Sequence, residues 1–504
     1  MFKKYNIKQY SSGDNMQDNS IWKQNIKKLD LPKLEKNIDC DILIIGGGIA
    51  GISTAFELRN TNKNIIVIDK YEIGMGISAN TTAKLSYLQD LCYNKLEMVH
   101  GFDNALLYLK SQKEAINIAK NNIEKYKIDC DFTPSPSITF TNDEKKINKF
   151  KKEEDFFKKA NIEYDVINKL DNKYKCQYGI KCDGNAVFHP IKYIHALTNL
   201  CLKNNITIYE HTRAISVTKK DYYYLVKTIN NNIIKANKII VCTHYPFFVI
   251  PGLIPLRTHI EKTYLTATKI PKNLKFNAIM EENPNITMRY HTEKDNYFIF
   301  GGYSHKLNKE FNYEQNLNKI KKDLKNNFKL NIEYQWEAND VMTNDYLPLI
   351  GPINKNNPNL LIATGFNKWG MTNGILAGKI LSDIILNKNN EYADLFSPNR
   401  KINIAKIISL PVDIYQNTSA YIKSYINKDK PFYNNVYFKT IDGKEYGIYI
   451  DNKGKEHKVR NLCPHMKCKL IFNNKDVTWD CPCHGSRFDI DGNLIEGPSV
   501  CDIK

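Results

Sequence analysis

No stretch of eighteen or more uninterrupted apolar residues occurs in these 504 residues, so no segment offers a plain membrane-spanning helix. The polar stretch from Met1 to Lys36 also lacks the apolar core of a secretory signal. The expectation is a cytoplasmic chain with no integral membrane segment, and no internal repeat is visible. Acidic residues are scarce beside basic ones, 54 against 72, for a formal charge of +18. That excess is spread along the chain among many Asn, Lys and Ile residues, as proteome-wide composition bias would leave it, so no nucleic-acid partner is expected. An acidic redox protein would still dock readily on such a surface. Seven of the twelve cysteines (Cys40, Cys92, Cys130, Cys176, Cys182, Cys201 and Cys242) are scattered without a framework, as thiols in a reducing compartment are. With 42% apolar and 25% charged residues, the chain is ordinary for two or three globular domains.

The front end carries a pattern with a mechanism. Asp39 to Asp69 reads as strand, tight turn, helix, strand, with Gly46-Gly-Gly48-Ile-Ala-Gly51 at the turn. Gly46 allows the sharp exit from the strand, Gly48 lets a pyrophosphate approach the backbone, and Gly51 with Ala55 lets the helix lie close on the sheet. Asp69 ends the second strand, where a carboxylate accepts hydrogen bonds from the ribose of an adenosine half. Three further places suit a flavin dinucleotide. The loop Gly74 to Lys84 carries Ser78, Asn80, Thr81 and Thr82, polar groups for a diphosphate and ring edge. Lys235 to Thr243 is a strand ending in a small polar turn. Asp345-Tyr-Leu-Pro-Leu-Ile-Gly351 precedes a second strand-to-helix turn, where Gly365 and the amides of Gly370, Met371 and Thr372 aim at a ligand. Only one dinucleotide fingerprint is visible, so a direct organic reductant is expected rather than a nicotinamide.

The other informative region is Cys463-Pro-His465-Met-Lys-Cys468 with Cys481-Pro-Cys483-His484-Gly-Ser486-Arg-Phe488. Two Cys and two His at this spacing suit a [2Fe-2S] cluster, with Cys463 and Cys481 on one iron and His465 and His484 on the other. Zinc is the lesser reading, because structural zinc sites more often use Cys-x2-4-Cys knuckles. A c-type haem would need a longer Cys-x-x-Cys-His run.

These runs resemble the Rieske family, and the first 390 residues resemble the D-amino acid oxidase and glycine oxidase superfamily of FAD-dependent oxidoreductases. The fullest likeness is to bacterial proteins that fuse the two. The resemblance implies an α/β FAD-binding domain, Rossmann-like and of D-amino acid oxidase type, with an α+β substrate domain and a small all-β Rieske domain. Expected boundaries are a polar extension over 1–38, the flavoprotein over 39–388, a linker over 389–422 and the cluster domain over 423–504. Within the flavoprotein, 39–90, 181–250 and 336–388 would bind FAD, and 91–180 with 251–335 would form the substrate side. The resemblance further implies a disulfide between Cys468 and Cys483, and it places Gly where this chain has Lys467. No Cys falls between Glu337 and Asp345, where some relatives attach flavin, so FAD is expected to be dissociable.

By the same likeness, an Arg gripping a substrate carboxylate lies five residues before the Asp of Asp-x-x-Pro-x-Ile-Gly. Here that position is Asp340, which suits a cationic amine better than an amino acid unless Asp340 is a loop or cap residue. Arg289 is the other catalytic candidate, with Tyr290, His291, His244, His259, Lys84 and Lys368 behind it. The expected activity is oxidation of an amine or amino acid C–N bond, with electrons passing from FAD through one [2Fe-2S] cluster, by an exposed imidazole edge, to a one-electron acceptor. Two alternatives stay open: an oxygen-using oxidase with a structural cluster, and a non-catalytic electron-transfer adaptor or redox sensor.

Overall fold

The computed structural model describes residues 20–170, 175–247, 254–270, 277–280, 285–291, 297–306, 313–401, 435–473 and 476–504. The near-continuous apolar run of Ile38–Ile45 forms a strand covered on both faces, the pattern of a parallel sheet. It pairs in parallel with Ile65–Ile68 on one side and Ile233–Val241 on the other. Beyond them lie Thr207–Tyr209 at one edge and the antiparallel pair Tyr224–Thr228 and Ala214–Lys219 at the other. Leu360–Thr364 also joins Ile233–Val241 in parallel and carries Leu349–Pro352. Helix Ile49–Leu58 packs on this sheet and against helix Gly370–Ile385. A Cβ on Gly378 of the second helix would sit 2.6 Å from the Cβ of Ser53 on the first.

The intervening segments build a second eight-stranded sheet. Its order runs Tyr334–Thr343, Thr258–Lys269, Tyr297–Lys306, Ile286–His291, Asn277–Met280, Ser137–Thr141, Tyr178–Cys182 and Asp165–Ile167. Helices Phe102–Tyr126 and Ile147–Lys159 come from the first of these segments, so 91–180 is helical in part and strand in part. At the C-terminal end a three-stranded sheet (Val436–Ile441, Lys444–Ile450, Glu456–Arg460) accompanies a four-stranded one (Ile471–Asn473, Thr478–Asp480, Arg487–Phe488, Leu494–Glu496). Their shared core holds Trp479, Val459 and Phe488 with Cys463, Cys468 and Cys481. The architecture is the α/β part, with its second sheet, and the small all-β domain that the sequence implies.

Packed residues occur in two segments expected to be an extension and a linker. The extension over 1–38 is not merely polar. Trp22 is fully buried, its indole Nε1 donates to the Thr81 carbonyl at 2.6 Å, and Leu34 is buried as well. Within the expected linker over 389–422, Leu395 and Phe396 lie in the main core. Arg400 makes a bidentate pair with Asp345 at 2.7 Å on both arms and also donates to the Leu347 and Pro348 carbonyls. The rest of that expected linker, 402–422, lies outside the described residues.

Candidate functional site

A cavity of about 480 Å³ opens where the two large sheets meet. Gly46 sits there with φ +110°, and a Cβ on it would stand 2.5 Å from the Cys242 carbonyl oxygen. A Cβ on Gly51 would stand 1.9 Å from the Gly46 oxygen, and one on Gly48 would stand 3.0 Å from Ser78 Oγ. The turn is therefore a backbone cradle that side chains would fill, as a pyrophosphate needs. Asp69 accepts from the Gly47 amide at 2.6 Å and the Tyr71 amide at 2.8 Å, which fixes its carboxylate at the cavity wall. Ser78 Oγ accepts from Ile49 at 3.0 Å and ties the polar loop to the helix start.

Gly46, Gly48, Asp69, Ser78, Asn80, Thr81, Thr82, Gly370 and Met371 all line this cavity. Gly51, Gly365 and Thr372 stand one layer back. Gly51 sits under the turn, Gly365 at φ +72° crowds Thr343, and Thr372 Oγ1 accepts from the Ser86 amide at 3.3 Å. Helix Gly370–Ile385 begins at the wall, so its free amides and dipole face the cavity.

Over the cavity, Asp340 lies mid-strand in Tyr334–Thr343, paired in register with Glu261 of Thr258–Lys269. It is neither a loop nor a cap residue. Burial, with the nearby Glu261 charge, pushes its carboxyl up to about 6 against the opposing pull of Lys368 and the Thr263 hydroxyl. Burial would raise Glu261 too, but His259 at 3.4 Å and Lys368 at 2.8 Å outweigh it and hold that carboxyl well below the usual range. Lys84 also lines the cavity. Its Nζ donates to Thr287 Oγ1 at 2.8 Å and the Ala278 carbonyl at 3.2 Å, and burial beside Arg289 pushes it down to about 7.

Arg289 has a different position from that of a catalytic group. It is fully buried and does not line the cavity; its guanidinium donates to the Thr82 and Phe188 carbonyls and covers the Trp22 ring at 4.6 Å. Its two terminal nitrogens hold the polar loop from behind, while Nε is buried without a hydrogen-bond partner. Tyr290 is core, and nothing is described of the His291 side chain. His244 lines the cavity and bonds the Asn339 carbonyl oxygen through Nε2 at 2.6 Å.

The C-terminal domain brings the second donor set together. Cys468 and Cys483 form a disulfide that joins the two loops. The Cys463 and Cys481 thiols hydrogen-bond each other, which holds Cys463 down and Cys481 up. His465 and His484 have ring centroids 5.0 Å apart, and both Nδ1 atoms are buried with no hydrogen-bond partner. Burial pushes these imidazoles down to about 4 and about 3, so both are neutral at pH 7. Two buried thiols and two orphaned neutral nitrogens fit a mixed-ligand cluster. The sulfurs of Cys468, Cys481 and Cys483 also lie within 4.8 Å of one another, but the disulfide leaves only Cys481 of these as a donor.

Both imidazoles are half-buried, and one side of each meets the flavin-binding part of the chain. Both rings pack on Tyr245, at 5.9 Å for His465 and 5.1 Å for His484, and Tyr245 and His484 themselves line the cavity. No motif singles out Tyr245, and Glu261 is likewise silent in the sequence; pairing across distant strands creates both. Lys467 takes φ +60°, the left-handed conformation that the family's Gly would adopt without strain. Lys467→Gly is expected to raise stability by about 1 kcal/mol, read as the shift in a denaturant midpoint at constant slope.

Residues 41–384 match the family described as FAD dependent oxidoreductase, and 425–504 match the Rieske [2Fe-2S] domain. The chain is 31% identical over 499 residues to the putative Rieske 2Fe-2S iron-sulfur protein YhfW of Bacillus subtilis (strain 168), covering 96% of this chain and 97% of that one. It is 23% identical over 369 residues to the gamma-glutamylputrescine oxidoreductase of Escherichia coli (strain K12), covering 70% and 85%. Among solved structures it resembles glycine oxidase from Geobacillus kaustophilus, with a TM-score of 0.60 and 15% identity, over 72% of this chain and all of that one. None of the described helices is long and apolar enough to cross a membrane.

Proposed function

The chain belongs to the FAD dependent oxidoreductase family and ends in a Rieske domain, and from that premise we propose that it oxidises the C–N bond of a cationic amine and delivers the electrons, through the cluster, to a one-electron acceptor. The observation that carries this reading is that one cavity is lined both by the dinucleotide turn, at Gly46 and Gly48, and by the cluster ligand His484. When bound, FAD supplies a two-electron hydride acceptor and the cluster a one-electron carrier.

The protein's own groups would do the rest. Asp340 would hold the substrate ammonium and take its proton at a carboxylate oxygen, leaving the neutral amine that hydride loss requires. Thr263 and Lys368 would orient that carboxylate, and Ile260, Leu265 and Phe366 would line the apolar part of the cavity. The amine would leave as an imine, which water hydrolyses. The relative named for gamma-glutamylputrescine, a molecule with a primary amine at one end and an α-amino acid at the other, is compatible with an amine substrate. Cys463, His465, Cys481 and His484 would hold the cluster, and FAD would be dissociable.

Anaerobic titration of iron-replete protein with a panel of amines and amino acids, followed by absorbance and EPR, tests the proposal. The expected result is flavin bleaching by amines followed by a reduced mixed-ligand cluster signal. A cluster that stays oxidised beneath bleached flavin would favour the oxidase alternative, and bleaching only by a partner protein would favour the adaptor. The same EPR signal, followed in a redox titration, examines tuning. Phe488 is buried in the core that holds Cys463 and Cys481, where it can donate nothing to a ligand sulfur. Phe488→Tyr is expected to raise the midpoint potential within the range of about −150 to +300 mV for such centres, by adding a hydroxyl donor.

A further inference from the structure

We infer that the Rieske domain is itself a wall of the FAD site: its segment from Ile495 to Val500 closes the adenosine end of the cavity and sets how tightly the dinucleotide is held. This inference rests on FAD as the cofactor and is independent of the substrate.

Three kinds of contact support it. Ile495, Glu496 and Val500 line the cavity together with Asp69, Lys70 and Arg213. Asp69 ends the strand Ile65–Ile68 and marks the ribose side of a dinucleotide site of this type. Tyr71, whose amide is bonded to Asp69, donates its hydroxyl proton to the Ile495 carbonyl oxygen, so one tyrosine ties the ribose carboxylate to the C-terminal domain. The Glu496 carboxylate is the leading attractive charge on both Lys70 and Lys23, which stand at the same end of the cavity. Val500 packs on the core of the dinucleotide-binding sheet, among residues that include Ile66, Ile68 and Ala214. A hydrogen bond, an ion attraction and an apolar contact thus anchor six consecutive residues of one domain inside the cofactor site of another.

The segment would touch the adenosine half and not the isoalloxazine half, towards which the helix start at Gly370 would point. Its contribution should therefore appear for FAD and be missing for FMN, which has no adenosine. The test uses the full-length chain with its cluster loaded, freed of flavin and titrated with FAD and with FMN by flavin fluorescence. Val500→Asp places a charge in the apolar contact, and Val500→Ala trims it. The expected result is at least a tenfold loss of FAD affinity for Val500→Asp and a smaller loss for Val500→Ala. FMN affinity and the visible cluster spectrum should be unchanged. Unchanged FAD affinity in both variants would overturn the inference. So would a parallel loss of FAD and FMN, which would mean general damage to the flavoprotein. If Val500→Asp loses the cluster, the same comparison on Val500→Ala decides.

Discussion

Asp340→Asn is expected to lower kcat/KM for a cationic amine by about a hundredfold, in line with the loss of a positioned acid-base group. FAD binding and the cluster spectrum should be unchanged. The pH profile gives the more specific check. In the native protein the Asp340 carboxyl is pushed up to about 6 by burial and by the Glu261 charge. The ionised form that binds an ammonium therefore exists above that value, and kcat/KM for amines should fall about tenfold per pH unit below it. The Asn variant should show no such limb. Asp340→Arg carries the test to substrate class, because a guanidinium there repels the ammonium and offers a fork to a carboxylate. If the preference for amines over amino acids survives this charge reversal, Asp340 does not select the substrate. A steady-state comparison of one amine and its α-carboxylated analogue would suffice.

The second large effect concerns the cluster. His484→Cys replaces a neutral ligand by a thiolate, which lowers the potential of a mixed-ligand centre towards that of an all-thiolate one. A fall of about 120 mV would disfavour one-electron uptake by about a hundredfold. Turnover with a one-electron acceptor should drop by a comparable factor, while anaerobic bleaching of the flavin by substrate keeps its rate. Stopped-flow absorbance separates the two. Unchanged turnover, with oxygen consumed, would make the cluster structural and sink the proposed electron route. The position of His484 makes this a stringent comparison, since its ring lines the flavin-side cavity and packs on Tyr245.

What could be learned from sequence was whatever lies within a short run of residues. The dinucleotide turn at Gly46 to Gly51 and the two cluster loops are each local, and each demands particular residue types at fixed spacing. The substrate side is different in kind. Asp340 could be singled out only by counting from Asp345, and its meaning depends on Glu261, brought opposite by antiparallel pairing. Arg289 drew notice as a charged group before a strand, yet it is consumed behind the polar loop by Trp22 and two carbonyls. Trp22 and Arg400 were invisible for a complementary reason. Both lie in stretches that look like tails or linkers, and only tertiary packing ties them to Thr81 and Asp345. Tyr245 carries no motif at all; two imidazoles from a distant part of the chain give it significance.

The convergence of Lys23 and Val500 on one cavity has a consequence for biosynthesis. A ribosome extends a chain at about 5–20 residues per second, and domains generally fold as they emerge. Val500 follows Lys401 by 99 positions, so the dinucleotide fold has on the order of 5–20 s of translation in which to collapse before its final wall exists. If the segment from Ile495 to Val500 is the wall inferred above, the cleft of the nascent chain would stand open on that side during the interval, and free FAD would have an approach that the finished chain closes.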